Sequence, residues 1–254
     1  MPGISKMKNL IIVTGGAGFV GSNLIKSLLK KTNKKIISLD NYSSGNKKNH
    51  IKDTRVKYIK AETIDISKHL KNLKNQIHSI FHFGEFARIY QSFLKMNDCI
   101  NSNTIGSNEV FNYCLKNNVK LIYSATSANL GNKGNDKNLS PYAFTKAKNL
   151  ELLENLKKWF NFKYEVIYFY NVYGPHQITK GKMSTVIGIF EDHYKKNKSL
   201  PVVKPGTQTR RFTHIKDTVE ICYVAWKKNL CRERNYYITR GIWNTTLAYV
   251  IWHR

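Results

Sequence analysis

A short apolar segment followed by three regularly spaced glycines constrains this chain more than any other feature. Residues 10–24 read LIIVTGGAGFVGSNL, with glycines at Gly15, Gly18 and Gly21. A G-x-x-G-x-x-G spacing between a strand and a helix lets the backbone turn sharply, approach a diphosphate closely and pack the helix against the strand. The N-terminus of that helix offers free N–H groups and the positive end of its dipole. The segment predicts a strand-turn-helix unit that binds the pyrophosphate of a dinucleotide.

The second predicted strand ends in a carboxylate, which indicates the kind of dinucleotide. Residues 36–39 read IISL and lead to Asp40, 19 residues after Gly21. An acid at this distance can accept hydrogen bonds from the adenosine ribose hydroxyls and would repel a 2′-phosphate. NAD is therefore favoured over NADP. The alternative is a glycine turn that serves only the fold.

Strand-like and helical patterns alternate along the chain, which is typical of a parallel sheet with crossover helices. With 254 residues, the chain can form one core, or a large domain with a small appendage. We expect an α/β fold, with a Rossmann-type doubly wound parallel sheet over 1–175 and a small substrate lobe over 176–254. The predicted strands are 9–14, 35–39, 56–59, 78–83, 119–124, 164–170 and 200–203. The predicted helices are 19–31, 66–74, 97–117, 141–160, 184–196 and 215–228.

The chain is strongly basic, with a formal net charge of +26 and a pI of about 9.9. Such a charge can indicate binding to nucleic acid or to an anionic surface. The lysines are scattered, however, and mostly lie at predicted helix ends and turns, so a specific nucleic-acid role is disfavoured. We expect loose polyanion binding at low salt and electrostatic steering of an anionic nucleotide substrate.

The sequence shows no sign of a membrane segment or of a metal site. No window approaches 18 uncharged apolar residues, and residues 1–8 lack the apolar core of a signal peptide. The four cysteines form neither close metal-type pairs nor a disulfide framework, and the histidines have no ligand spacing. We therefore expect a cytoplasmic protein that has no membrane partner and binds no metal.

A tyrosine and a lysine four residues apart form the second informative motif. Tyr142 and Lys146 lie in the sequence YAFTK, inside the helix that begins after Ser140-Pro141. Residues four apart share one helix face, and a cation beside a phenol favours the phenolate, lowering its pKa. Such a pair can remove a proton from a sugar hydroxyl while a nicotinamide takes the hydride. The alternative is the surface of an ordinary amphipathic helix.

Further segments, in the same order as in a known family, carry a resemblance over residues 8 to about 240. The chain resembles the extended short-chain dehydrogenases/reductases, specifically the nucleotide-sugar epimerases/dehydratases. Besides the glycine turn and the Tyr-x-x-x-Lys motif, the matching segments are FHFGE (81–85), NTIGS (103–107), YFYNVYGP (168–175) and RRFTHIKD (210–217). The resemblance implies NAD as the cofactor and a UDP-sugar or similar nucleotide sugar as the substrate.

The resemblance also implies roles for individual residues. It assigns the catalytic roles to Tyr142 as acid/base, to Lys146 as its partner, and to Thr126 as the hydroxyl that hydrogen-bonds the reacting group, with Ser124 as the alternative to Thr126. The expected cofactor-binding residues are Gly15, Gly18, Phe19, Val20, Gly21, Asp40, Asn41, Asp65, Ile66, Phe83, Gly84, Asn103, Tyr142 and Lys146. The expected substrate-binding residues are Glu85, Thr126, Asn171 and Arg210. Glu85 could instead only cap a strand end.

Two departures from the family pattern bear on the reaction. Family members with dehydratase activity carry an Asp-Glu pair directly after the catalytic Thr, whereas this chain has Ser127-Ala128, which disfavours sugar 4,6-dehydration. Relatives also continue well past the equivalent of residue 238, and residues 241–254 resemble nothing in the family. We therefore expect an incomplete C-terminal lobe.

The resemblance supports one reaction over several others. We expect an NAD-dependent epimerase that inverts C4 of a UDP-sugar through a transient 4-keto intermediate. The alternatives are a uronate epimerase, a decarboxylase, a 4-keto reductase, or a truncated, non-catalytic NAD-binding protein. The resemblance further implies a homodimer that is held together by the helices near 97–117 and 141–160.

Overall fold

A computed structural model of the protein describes residues 8–202, 204–207 and 212–228, without the side chains of 130–134 and 228. The strands are β1 (Leu10–Thr14), β2 (Lys35–Asp40), β3 (Val56–Lys60), β4 (Ile77–His82), β5 (Lys120–Thr126), β6 (Tyr164–Phe169), β7 (Asn171–Tyr173) and β8 (Phe212–His214). The α-helices are α1 (Phe19–Lys31), α2 (Ile66–Leu70), α3 (Ile89–Leu94), α4 (Met96–Ile100), α5 (Ser107–Lys116), α6 (Pro141–Phe160), α7 (Val186–Lys195) and α8 (Ile215–Lys228).

The first six strands form one parallel sheet in the order β3-β2-β1-β4-β5-β6. The strand order reverses between β1 and β4, and ligands of such sheets bind outside the carboxyl ends of the strands at this switch point. The predicted Rossmann-type doubly wound sheet is confirmed.

Apolar side chains alternate along the strands and fill a core on each face of the sheet. Ile12 on β1 packs with residues of α2, α5 and α6 on one face. Ile11 and Val13 pack with residues of α1 and α8 on the other face. Because both faces are covered by helices, the central strands are buried on both sides, which accounts for their nearly continuous apolar sequences.

Helix α6 begins where the sequence predicts it. Ser140 is the N-cap, and its Oγ accepts a hydrogen bond from the backbone N–H of Ala143 at 3.0 Å. Pro141 occupies the first helical turn, where its missing N–H costs nothing. The cap fixes the start of the helix one residue before Tyr142.

Several elements differ from the sequence prediction. Residues 200–202 of the predicted strand 200–203 are not a strand, since Leu200 and Val202 are 49% and 67% exposed and have no sheet to pack on. The sequence missed α3 and the short parallel pair of β7 and β8. The predicted helix 97–117 is interrupted by a π-helical turn at Asn101–Gly106. Helix α8 packs on α1 and completes the main core, although it comes from the predicted second lobe.

No helix in the described part of the chain is long and apolar enough to cross a membrane. Within the same residues, no group of three or more His, Cys, Asp or Glu side chains is arranged to hold a metal ion. Residues 229–254, which include the atypical 241–254 segment, lie outside the described residues.

Candidate active site

The glycine turn after β1 brings two backbone segments into close contact. Gly15 has a φ of +70°, and a Cβ atom there would lie 2.8 Å from the carbonyl carbon of Phe83. A Cβ at Gly21 would lie 2.1 Å from the carbonyl oxygen of Gly15. Only glycine fits at both positions, because a side chain would collide with the backbone rather than with a movable group.

The start of α1 leaves donors for an anion. Gly18 is the N-cap of α1, and no side chain accepts a hydrogen bond there. The first N–H groups of a helix, here those of Phe19 and Val20, have no partner inside the helix. A narrow backbone turn that ends in free N–H groups fits the pyrophosphate of a dinucleotide.

Thr14 joins the glycine turn to the segment after β4. Its Oγ1 accepts hydrogen bonds from the backbone N–H groups of Phe83 at 3.1 Å and Gly84 at 3.0 Å. Both residues were predicted to line the cofactor, and the structure places their backbone directly against Gly15. The carboxyl ends of β1 and β4 are thereby held together at the switch point of the sheet.

Asp40 lies at the end of β2 with its carboxylate turned toward the glycine turn. Its two oxygens accept hydrogen bonds from the backbone N–H groups of Ala17 at 2.9 Å and Tyr42 at 2.8 Å. Burial raises the pKa of Asp40, and hydrogen bonds from the backbone N–H groups of Tyr42, Ala17 and Gly18 and the charge of His50 partly oppose that shift. The carboxylate keeps acceptor capacity for ribose hydroxyls, since an ionised carboxylate can accept about four hydrogen bonds. Asn41 follows it and donates to Glu62 at 3.0 Å.

The surroundings of three predicted cofactor residues, Asp65, Ile66 and Asn103, limit the contacts that each could make with NAD. Asp65 is exposed at the start of α2, whereas Ile66 is fully buried in the core. Asn103 is fully buried, and its side chain bonds both the N–H and the carbonyl of Phe86, at 2.6 and 3.0 Å. We infer that Asn103 braces the segment after β4 instead of contacting the cofactor directly.

Thr126 and Tyr142 meet at the carboxyl end of β5. Their hydroxyl groups lie close enough to interact, and the interaction with Thr126 lowers the pKa of Tyr142. Thr126 also accepts a hydrogen bond from the N–H of Ala128 at 3.2 Å. Ser124, the alternative for the same role, donates its hydroxyl to the carbonyl of His82 at 3.1 Å inside the sheet. Thr126 is therefore the better placed of the two hydroxyls.

Lys146 lies one turn after Tyr142 and is almost completely buried. Its Nζ donates to the carboxylate of Glu85 and to the carbonyl oxygen of Ser124, and it lies 4.6 Å from the centre of the Tyr123 ring. The side chains of Lys146 and Glu85 are only 4% and 2% exposed. An ammonium has three N–H donors, so one remains for another acceptor such as a ribose hydroxyl.

The pairing of Lys146 with Glu85 changes the expected effect on Tyr142. We expected Lys146 to lower the pKa of the phenol, but the pKa of Tyr142 is raised to about 12. Burial is the main cause, and the charge of Glu85 adds to it. The expectation is wrong because the phenol is buried, and the sequence revealed neither this burial nor the carboxylate partner of Lys146. Since that carboxylate is buried and already bonded, we do not retain Glu85 as a substrate contact.

Arg88 is a candidate functional residue that sequence reasoning missed. Its Nε and Nη2 donate to the carbonyl oxygen of Met183 at 2.8 and 2.6 Å, and its Nη1 donates to the carbonyl of Ala87 at 2.7 Å. The guanidinium is close enough to Tyr142 for the two charges to interact. No carboxylate within the described residues forms an ion pair with it. The only sequence signal was its position, three residues after Glu85.

Of the two residues predicted to hold the substrate diphosphate, Asn171 lies in the described part of the chain and Arg210 does not. Asn171 is the first residue of β7 and is half-buried, beyond the carboxyl end of β6. Arg210 lies outside the described residues. The pairing of β7 with Phe212–His214 brings the chain back to Asn171 two residues after Arg210.

Relatives of known or assigned function cover most of the chain. It is 27% identical to a protein of Methanocaldococcus jannaschii provisionally named UDP-glucose 4-epimerase, over 87% of this chain and 75% of that protein. It is 28% identical to the ADP-L-glycero-D-manno-heptose-6-epimerase of Fusobacterium nucleatum, over 84% of this chain and 70% of the relative.

Solved structures and a family sequence model agree with these relatives. The UDP-glucose 4-epimerase of Thermotoga maritima, solved with UDP-glucose, superposes with a TM-score of 0.77 at 25% identity, over 85% of this chain and 72% of that one. The UDP-glucose 4-epimerase of Thermus thermophilus, solved with NAD, shares the fold with a TM-score of 0.75 at 23% identity, over 85% and 74%. A sequence model of the NAD dependent epimerase/dehydratase family matches residues 11–238. With NAD as its cofactor, this chain belongs to the NAD-dependent epimerase/dehydratase family.

Proposed function

We propose that the protein is a nucleotide-sugar epimerase that inverts C4 of a UDP-sugar through a transient 4-keto intermediate. The observation that carries this proposal is the convergence of Thr126, Tyr142 and Lys146 at the carboxyl edge of the sheet, beside the switch point. The relatives that are named as sugar epimerases support the same class of reaction.

Each of the three residues has a distinct task in this proposal. Thr126 hydrogen-bonds the C4 hydroxyl and orients it toward Tyr142, which takes the hydroxyl proton and later returns it. The remaining N–H of Lys146 binds a ribose hydroxyl of the cofactor. NAD supplies a reversible hydride acceptor at the nicotinamide.

The residues after Thr126 argue against water elimination from the sugar. Ser127 and Ala128 have no carboxyl group that could act as an acid or a base at a neighbouring carbon. The site therefore has one proton carrier next to the reacting hydroxyl, which suits reversible oxidation at a single carbon.

Asn171 and Arg210 are our candidates for binding the substrate diphosphate. A guanidinium can bind phosphate oxygens through two parallel hydrogen bonds, and an amide adds a neutral donor. The net charge of +26 favours the approach of a dianionic nucleotide sugar by long-range attraction.

A turnover assay tests the proposed function. Mass spectrometry of the denatured protein first identifies any released NAD. The protein is then incubated with UDP-glucose or UDP-N-acetylglucosamine without an added reductant, and we expect the C4 epimer to form. Tyr142→Phe should abolish turnover and keep NAD binding, because it removes only the proton carrier. Retained activity in this variant would reject Tyr142 as the acid/base, and an absolute need for a reductant would indicate a reductase.

One observation favours a uronate sugar as a second candidate substrate. Arg88 uses three of its five N–H donors on backbone carbonyls, which leaves one N–H on each terminal nitrogen. Such a pair suits a carboxylate, and the guanidinium lies near Tyr142, where the sugar would react. The comparison is kcat/KM for UDP-glucuronate against UDP-glucose. Arg88→Gln should reduce the first value selectively, and an equal loss with both sugars would mean that Arg88 only anchors Met183.

We also propose a homodimer formed through α4, α5 and α6, the helices that the resemblance implied for this role. Ile105, in the π-helical turn between α4 and α5, and Phe144 on α6 are 42% and 44% exposed, which leaves apolar area for a partner to cover. Light scattering after size exclusion should give twice the mass of 29.4 kDa. Phe144→Asp should shift the protein toward monomer, and a monomeric wild-type protein would contradict the proposal.

A further inference from the structure

Glu85 is the most completely bonded charged side chain around the site. Its Oε1 accepts hydrogen bonds from Ser107 at 2.9 Å, Tyr123 at 3.0 Å and Asn149 at 3.3 Å. Its Oε2 accepts the bond from Lys146. These partners come from α5, β5 and α6, so three elements converge on a single carboxylate.

The hydrogen bonds around His82 link Glu85 to the cofactor side of the site. Ser107 has one hydroxyl proton, which it donates to Glu85, so His82 donates from Nε2 to Ser107 at 2.9 Å. His82 Nδ1 is then unprotonated and accepts the hydroxyl proton of Thr14 at 2.8 Å. Burial lowers the pKa of His82 to about 4, which agrees with this neutral form. The chain of hydrogen bonds from Thr14 through His82 and Ser107 fixes the position of the Glu85 carboxylate.

An ion pair this deeply buried is costly unless each charge is fully bonded, and removal of one partner leaves the other charge uncompensated. Without Glu85, Lys146 would be a buried ammonium that has one carbonyl acceptor, that of Ser124. Burial alone lowers the pKa of Lys146, and Glu85 acts in the opposite direction. Glu85 therefore favours the charged form of the lysine and fixes its Nζ.

We propose that Glu85 is a positioning residue of the site, which holds the Lys146 ammonium in place and offsets its charge at Tyr142. The ion pair alone supports the structural part of this proposal, and its catalytic part rests on the proposed function.

The charged and titratable groups near Tyr142 come from its own helix, which contributes Lys146, and from three other parts of the chain. Arg88 from the segment after β4 lowers its pKa, whereas Glu85 from the same segment and Cys99 from α4 raise it. Thr126 at the end of β5 lowers it through its hydroxyl, and the phenol of Tyr123 is its titratable neighbour on the same strand. Among these groups, Glu85 carries the one negative charge at neutral pH. Its neutralisation should therefore favour the phenolate.

Ionisation of Tyr142 can be measured without any ligand. The protein is labelled with ¹³Cζ-tyrosine, and the Tyr142 resonance is assigned by its absence from Tyr142→Phe. At pH 10.5, a phenol of pKa about 12 is about 3% ionised, whereas one of pKa about 11 is about 24% ionised. Glu85→Gln keeps the size of the side chain and removes the charge, and we expect it to lower the pKa by about one unit or more.

The chain offers a matched control for the loss of a buried ion pair. Glu165 pairs with Lys120 at 2.7 Å, and both side chains are buried. Glu165→Gln likewise removes a buried carboxylate charge. None of the hydrogen bonds and ion pairs described above joins this pair to a residue of the site. We expect a similar loss of thermal stability in both variants and a changed Tyr142 titration in Glu85→Gln alone.

Each outcome decides the proposal. Equal Tyr142 titration in wild type and Glu85→Gln would overturn it, as would an equal shift in Glu165→Gln. Should Glu85→Gln fail to fold, Glu85→Asp, which keeps a carboxylate but shortens its reach to Lys146, takes its place, and an unchanged Tyr142 titration in that variant would overturn the proposal. In the kinetic arm, the rising limb of kcat/KM against pH should move to lower pH in Glu85→Gln. A wild type without turnover would reject the proposed function and leave the titration result standing.

Discussion

Alanine variants at two glycines can separate the effect of the close contact between the glycine turn and the segment after β4 from the effect of a positive φ angle. Gly15 and Gly181 both have positive φ angles, of +70° and +81°. A Cβ at Gly15 would lie 2.8 Å from the carbonyl carbon and oxygen of Phe83, whereas a Cβ at Gly181 would meet nothing within 4 Å. Alanine at either position has to adopt the left-handed conformation, which costs about 1–2 kcal/mol. Both variants share this cost, and both reduce the conformational freedom of the unfolded chain by the same glycine-to-alanine change.

The difference between the two variants therefore measures the steric conflict at Gly15. Inserting a methyl group into a packed site costs about 1–3 kcal/mol, so we expect Gly15→Ala to be less stable than Gly181→Ala by about 2 kcal/mol. For a chain of this size, that corresponds to a difference in Tm of about 4–8 °C.

Thermal unfolding followed by circular dichroism gives the two Tm values, and calorimetric titration gives the NAD affinity. Displacement of the turn should weaken NAD binding at least about tenfold in Gly15→Ala, a loss of about 1.4 kcal/mol. Gly181→Ala should bind NAD like the wild type. Equal Tm values and equal NAD affinities for the two variants would refute the reasoning that close backbone contact shapes this binding site.

Two further predictions concern hydroxyl and imidazole groups of the site. Thr126→Val should lower kcat/KM about tenfold, the worth of one hydrogen bond of about 1.4 kcal/mol, and move its rising limb to higher pH, because the interaction with Thr126 lowers the pKa of Tyr142. An unchanged pH profile would contradict this role of Thr126. The pKa of His82 is about 4 in the folded protein, so below pH 6.5 the unfolded chain gains a proton that the folded chain does not. The free energy of unfolding should then fall between pH 6.5 and pH 4, by up to about 3 kcal/mol, and urea unfolding of His82→Gln should show a smaller fall. Parallel curves for the two proteins would speak against the neutral His82.

Much of the fold could be predicted because local sequence and tertiary structure agree. The glycine turn, the apolar strands and the Ser140-Pro141 cap are each specified within a few residues, and the sheet order follows from the connections. The position of Asp40 beside the glycine turn could also be predicted, because parallel strands end at one edge of the sheet.

The charge pattern of the site could not be predicted because it depends on contacts between distant residues. Glu85 and Lys146 are 61 residues apart, and nothing in either local sequence indicates that they pair. The contact of Arg88 could not be predicted either, since its main acceptor, the carbonyl oxygen of Met183, lies 95 residues further along the chain. The short strands β7 and β8 were missed because each has only three residues and little apolar periodicity.

The fate of the hydrogen at C4 of the sugar tests the central claim most directly. UDP-glucose that carries deuterium at C4 is incubated with the protein in ordinary water, without a reductant, and the sugar products are analysed by NMR and mass spectrometry. The account predicts an inverted product that retains deuterium at C4, because the hydride leaves and returns within one active site. Inverted product that has exchanged its label with solvent, or a complete lack of inversion in protein shown to contain NAD, would contradict it.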